Sequence, residues 1–263
     1  MKLHILRLGS VVPDGVGGPE AAMLDLIYSY LLQRYNCDYY GHISINQVGN
    51  DLDEFIVKRG KRIDVNIRFP VTEFCKLNIH EQNKIRVEVI HSALVRIAEK
   101  EKSLDIPSLL KIKKEIFDKH FEFEFTYKVY ENHAINQKIE ILIQPGPDKF
   151  NFYVSVKDAK VPSCKMLVYE GMSNDYYIPI IFASGKWKNR DHFVIRDKRK
   201  EIELHIFLKE CRYELRNLTN YPDPPFFEMM KANTPPEIRE RVYKDWLHSL
   251  PPGISGIISH SPN

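Results

Sequence analysis

The chain has 263 residues, of which 43% are hydrophobic and 28% charged, and its 38 basic and 35 acidic residues leave a formal net charge of +3. That length supports one large domain or two small ones with ample core, in an ordinary globular composition. The near balance of charge argues against a dedicated nucleic-acid binder, and no apolar run approaches a membrane span.

The N-terminal apolar run is too short for a signal peptide, so a cytoplasmic location is expected. Cys37, Cys75, Cys164 and Cys211 lie far apart and form no CxxC pair. They are therefore expected as free thiols in a reducing compartment, not as zinc ligands or the framework of a disulfide scaffold.

In chain order, Leu3 to Leu8 predicts a short strand, followed by a glycine-rich loop from Gly9 to Gly18. Pro19 and Glu20 suit the first turn of a helix. Met23, Leu26, Ile27, Tyr30 and Leu31 carry it at helical spacing to about Asn36. Asp38 to Gln47 and Lys61 to Phe69 predict strands, while Asp51 to Lys58 fits either a short helix or a loop. Two amphipathic helices follow. One runs from about His80 to Lys100, with Ile85, Val89, Ala93, Leu94 and Ile97 as its apolar side. The other opens on Asp105 as N-cap, with Pro107 in the first turn.

From Phe121 to Val156 three segments alternate apolar and polar residues, parted by turn residues at 131–133 and 145–148. Side chains on a strand point to opposite faces in turn, so this is an antiparallel meander with one buried face. Further strands are predicted at 165–169, 177–182, 192–196 and 201–208. Pro222, Pro224 and Pro225 forbid regular structure, with Phe226 and Phe227 tucked onto the body. Thr234 to Glu237 has the form of a capping box, opening a helix to about His248 with Ile238, Val242, Trp246 and Leu250 as core contacts. The tail from Pro251 onward is turn-rich and is expected to fray. The fold class is α+β: an antiparallel-dominated sheet with amphipathic helices packed mainly on one face. The chain, 1–263, reads as a single domain in which the β-α-β portion, 1–70, extends the sheet or forms a smaller lobe.

Three stretches invite chemistry. In Asp14-Gly15-Val16-Gly17-Gly18-Pro19, backbone amides before a helix suit an anion. The spacing of Gly15, Gly17 and Gly18 matches neither the Walker loop nor the dinucleotide fingerprint, and Pro19 deletes an amide. Asp148, Asp158 and Lys160 have the residue types of a metal-dependent nuclease, two acids for a divalent ion and a lysine to activate water. They sit, however, at the two ends of one predicted strand, so a turn and a solvated loop is the simpler reading. Among ten histidines no zincin spacing occurs, though His192 and His205 are placed to meet across a hairpin, with Cys164 or Cys211 nearby.

No serine or cysteine sits in a local catalytic signature, and no metal or cofactor is called for. Lys198, Arg199 and Lys200 form a basic hairpin tip, and Tyr176 and Tyr177 are among the aromatic pairs expected at a surface. These features favour a non-catalytic module that binds another protein, a description that a bacterial toxin-neutralising (immunity-type) protein fits. The alternatives are a nuclease or phosphodiesterase using Asp148, Asp158 and Lys160, and a nucleotide-binding enzyme using the Gly15–Gly18 loop.

Overall fold

The structure, a computed structural model, describes residues 5–12, 14–37, 39–158, 161–173, 177–220 and 225–249. The first sheet holds β1 (Leu6–Ser10), β2 (His42–Val48), β3 (Phe55–Arg59) and β4 (Arg62–Arg68) in the order β1-β2-β4-β3. The second holds β5 (Phe125–Asn132), β6 (Gln137–Pro145), β7 (Lys149–Asp158) and β8 (Val161–Met172) in chain order. The third holds β9 (Ser184–Asn189), β10 (His192–Arg196), β11 (Ile202–Phe207) and β12 (Arg212–Asn217), also in chain order. Antiparallel pairing dominates, and the fold class is α+β. Contacts group the chain into two compact units, residues 1–129, 141–152 and 173–175, and residues 130–140, 153–172 and 176–263.

In the first unit β1 and β2 pair in parallel, as do β2 and β4, so Ile43 and Ile45 lie beside Ile63 and Val65. The β1–β2 connection passes through α1 (Ala22–Arg34), which is buried on nearly all sides, as its Met23, Leu24, Leu26, Ile27, Leu31 and Leu32 require. This helix also seals the outer edge of β1. Leu6 N donates to Ser29 Oγ (3.1 Å) and Leu8 N to Asp25 Oδ1 (2.9 Å). Four residues of helix and two of strand both advance about 6 to 7 Å, so two side chains on one helix face meet two outward amides. An edge treated this way offers no template to another chain.

The stretch that fitted either helix or loop contains β3, which pairs antiparallel with β4 across the Gly60-Lys61 turn. Gly60 has φ +62°, the left-handed backbone such a two-residue turn needs. The helix α2 (Ile79–Glu101) opens on a capping box: Asn78 Oδ1 accepts from Glu81 N (3.0 Å) and Glu81 Oε2 from Asn78 N (3.3 Å). In α3 (Ile106–Asp118), Asp105 caps Ser108 N at 2.9 Å. That helix stops with Phe121 N donating to Ile116 O at 3.1 Å and His120 at φ +50°, the place glycine usually holds. Phe121 and the residues just after it therefore belong to a helix stop, and β5 begins at Phe125 instead of Phe121. Loops too short for a crossover join β5 to β8, which makes their pairing antiparallel. Phe150, Phe152, Val154 and Val156 are buried, as the alternation predicts.

The second unit departs further from expectation. Residues 177–182 were predicted as a strand but hold α4 (Ile178–Ile181), with Pro179 in the first turn, where its missing N–H costs nothing. Pro225 opens α5 (Pro225–Met229) instead of forbidding structure, while Pro222, Pro224 and the tail lie outside the described residues. In α6 (Pro236–Ser249), Ile238 is 39% exposed, Val242 and Trp246 are half-buried, and Leu250 is outside the described residues. The helix opens at Pro236 and Pro235 O accepts from Arg239 N (3.0 Å), so Pro235 and not Thr234 stands at the N-cap; the Thr234 hydroxyl donates instead to Glu228 O (2.8 Å).

Cys164 of β8 and Cys211 of the turn before β12 form a disulfide with Cα atoms 5.9 Å apart, which corrects the expectation of four free thiols. Sequence distance between cysteines says nothing about strands that fold back beside one another. Cys37, buried, and Cys75, exposed, are not in a disulfide. Among the described residues no helix is long and apolar enough to cross a membrane.

Two outcomes follow for solution work. Asp25→Ala and Ser29→Ala each strand a buried β1 amide and should lower unfolding free energy in urea by about 1–3 kcal/mol; an unchanged midpoint in both contradicts the edge-sealing role. Unfolded without reductant, the protein should be alkylated at Cys37 and Cys75 alone, and alkylation of all four cysteines would contradict the bridge.

Candidate functional site

The carboxyl ends of parallel strands are where α/β sheets open a crevice, because the connecting loops diverge there. Here the Gly9–Gly18 loop leaves β1 at that end and is fixed at Val16, which is fully buried. Val16 N donates to Gln47 Oε1 at 2.9 Å, and Val16 O accepts from Arg86 Nε at 3.0 Å. Gln47, near the end of β2, also accepts from Ser10 Oγ (3.3 Å) and donates to Phe69 O (2.8 Å). The glycines serve this close packing. A Cβ on Gly15 would stand 2.7 Å from Gln47 Oε1, and one on Gly17 2.8 Å from Gly9 Cα. Gly18, at φ +108°, turns the chain into the helix.

Arg86 is only 2% exposed and is among the largest buried side chains. Besides Val16 O it donates from Nη1 to Asn83 Oδ1 (2.9 Å), and its guanidinium lies 5.0 Å from the Phe74 ring centroid. Among the described residues no acceptor meets Nη2 and no carboxylate is within ion-pair reach. Burial lowers the guanidinium pKa, with Glu20 and Asp25 opposing at longer range. An arginine stays charged in a protein, so this is a buried cation held by neutral acceptors.

Arg86 lines a cavity of about 430 Å³ together with Ser10, the Gly15–Gly18 turn, Phe74, Cys75 and Gln82, and with the exposed Asp14 and Glu20. The buried cation and the exposed carboxylates give it two polarities. The glycine content between a predicted strand and helix, not the spacing, pointed to this loop. Arg86 escaped notice because attention to apolar periodicity passes over a polar residue on a helix's inner face; Asn83 and Arg86, three apart between Ile79 and Ile90, were the available signal.

The acids of the nuclease reading are not brought together. Asp148 immediately precedes β7 and Asp158 ends it, while Lys160 lies outside the described residues. Asp148 lines a different cavity of about 430 Å³ in the first unit, with His80, His120 and Asn151, whose Oδ1 is buried and meets no partner among the described residues. Among the described residues no group of three or more His, Cys, Asp or Glu is placed to hold a metal ion.

Of the surface candidates, Arg199 stacks on Phe226 (4.2 Å) and Trp246 (4.9 Å), and Tyr177 meets Phe226 edge-on at 5.5 Å. Lys198 and Lys200 remain exposed at the hairpin tip, and Tyr176 is outside the described residues. His192 and His205 do meet, Nε2 to Nδ1 at 2.8 Å, with His205 Nε2 on Glu203 Oε2 at 3.0 Å. Compared with protein-family models, curated proteins and solved structures, the chain matches none.

Burial, then the charge on Lys113, holds the His91 pKa below its usual value against Glu88; burial, then His205, does the same for His192. The unfolded chain therefore binds more protons than the folded one just below the ordinary imidazole pKa, and stability is lost as pH falls through about 6.5. The urea midpoint should drop between pH 7.5 and 5.5, less so in His91→Gln and His192→Gln; a midpoint that holds or rises contradicts this. Gly17→Ala should destabilise the first unit and widen the loop, read as faster amide exchange at Val16; unchanged exchange contradicts the close-approach account.

Proposed function

We propose that this protein binds a small molecule through an anionic group of that molecule, in the cavity between the Gly9–Gly18 loop and α2. One observation carries the reading: the Arg86 guanidinium is buried, lacks an ion-pair partner among the described residues, and lines an open cavity. A buried charge is costly unless paired, and the ligand's anion completes the pair that the chain leaves open. Planar donors on the Nη2 edge suit a carboxylate or phosphate oxygen. This moves the weight from a protein-binding module to a ligand-binding one at the glycine loop, and no catalytic step is assigned to it.

Cys75 supplies the test, since it is the exposed free thiol and lines the same cavity. A ligand in place should slow alkylation of Cys75 by iodoacetamide saturably, across a panel of amino acids, hydroxy acids and phosphate esters. Arg86→Gln should abolish that protection while keeping a native circular dichroism spectrum, and Arg86→Lys should weaken it. If nothing in the panel protects Cys75, or protection survives in Arg86→Gln, the reading fails.

A protein partner remains a second reading, favoured by one patch of the second unit. The exposed Leu167, Tyr213 and Leu215 line a groove of about 520 Å³. Exposed apolar residues grouped in this way are typical of interfaces. Leu215→Glu should then release a partner that the unaltered protein retains in a pull-down; retention by both excludes this surface.

A further inference from the structure

We infer that the ligand of the Arg86 cavity is a zwitterion of the α-amino-acid class, its carboxylate on Arg86 and its ammonium toward Asp14 and Glu20. This rests on the anion-binding reading and names the other half of the ligand. Among the described residues that line the cavity, Arg86 is the single cation, against the two carboxylates of Asp14 and Glu20, and the other side chains are neutral. The charges are also sorted by depth, with the cation buried and both carboxylates exposed.

Glu20 Oε2 lies 2.9 Å from where a Gly18 Cβ would stand, so the carboxylate is folded back over the glycine turn that walls the cavity. Asp14 is held at φ +53° within the same loop. A phosphate dianion would gain Arg86 and meet two like charges at the mouth, and a nucleotide polyphosphate would meet them with more charge still. A simple carboxylate leaves the two acids unanswered. An α-amino acid answers both, placing a negative group inward and a positive group outward on neighbouring atoms. The volume, about 430 Å³, falls within the ordinary range for a small-molecule site.

The experiment is calorimetric titration of the full chain with common α-amino acids, with the 2-hydroxy acids of the same skeletons, and with inorganic phosphate. The amino acids should bind at least about tenfold tighter than their hydroxy-acid counterparts. Glu20→Gln and Asp14→Asn are exposed and should leave folding intact. Each should weaken amino-acid binding and strengthen hydroxy-acid binding, a pair of opposite responses that mere loosening of the loop would not produce. Equal binding of the two series, or a preference for phosphate, overturns the zwitterion inference and leaves the anion reading standing if Arg86→Gln still abolishes binding. Absence of binding by every probe, or binding indifferent to Arg86, overturns both.

Discussion

The peptide groups flanking Val16 are gripped from two sides, its N–H by the Gln47 side chain of β2 and its C=O by the Arg86 guanidinium of α2. Those two bonds convert a glycine-rich connection into a fixed wall. A loop with this many glycines would lose much entropy on ordering, and the buried amide and carbonyl of Val16 would be costly if unpaired. Side chains from two other elements answer both groups. Gln47 extends the grip to Ser10 and to the segment that follows β4. The same Arg86 that holds the wall lines the cavity behind it, so loop position and ligand chemistry depend on one residue.

The architecture explains why this happens at that place. Parallel β1 and β2 send their carboxyl ends in one direction, and α1 returns from the loop already committed to sealing the β1 edge through Asp25 and Ser29. The start of α1 is thereby fixed relative to the strand. Glu20, in the turn just before α1, and Asp14, in the loop, both line the cavity. Asn83, bonded to Arg86, lines the other cavity of this unit, the one that also holds Asp148. The two cavities thus share a bonded pair on one helix.

Much of this fold was legible from the residues, and the omissions share a physical cause. The meander, the Asp105 cap and the strands at 192–196 and 201–208 announced themselves through alternation and capping chemistry. The strands missed, β3, β9 and β12, are all sheet edges and largely exposed. A strand wet on both faces has no apolar alternation to show. The segment at 177–182 was misread because a short apolar run carries no period, and only Pro179 hinted at a helix start. At the candidate site the glycines were visible, but the charge they enclose was not: a buried arginine breaks the apolar pattern used to find a buried face. The cysteine pair was invisible for a simpler reason, since pairing depends on which strands become neighbours.

The central claim is that Arg86 keeps one guanidinium edge open to the cavity for an anion from outside the chain. The most direct measurement is the anomalous scattering of crystals soaked in bromide, a monoanion that carries no other chemistry. The account predicts a bromide peak within hydrogen-bond reach of Arg86 Nη2, with Val16 still bound to Gln47 and Arg86. A map in which the Glu20 or Asp14 carboxylate occupies that edge instead, with no bromide there, would contradict it.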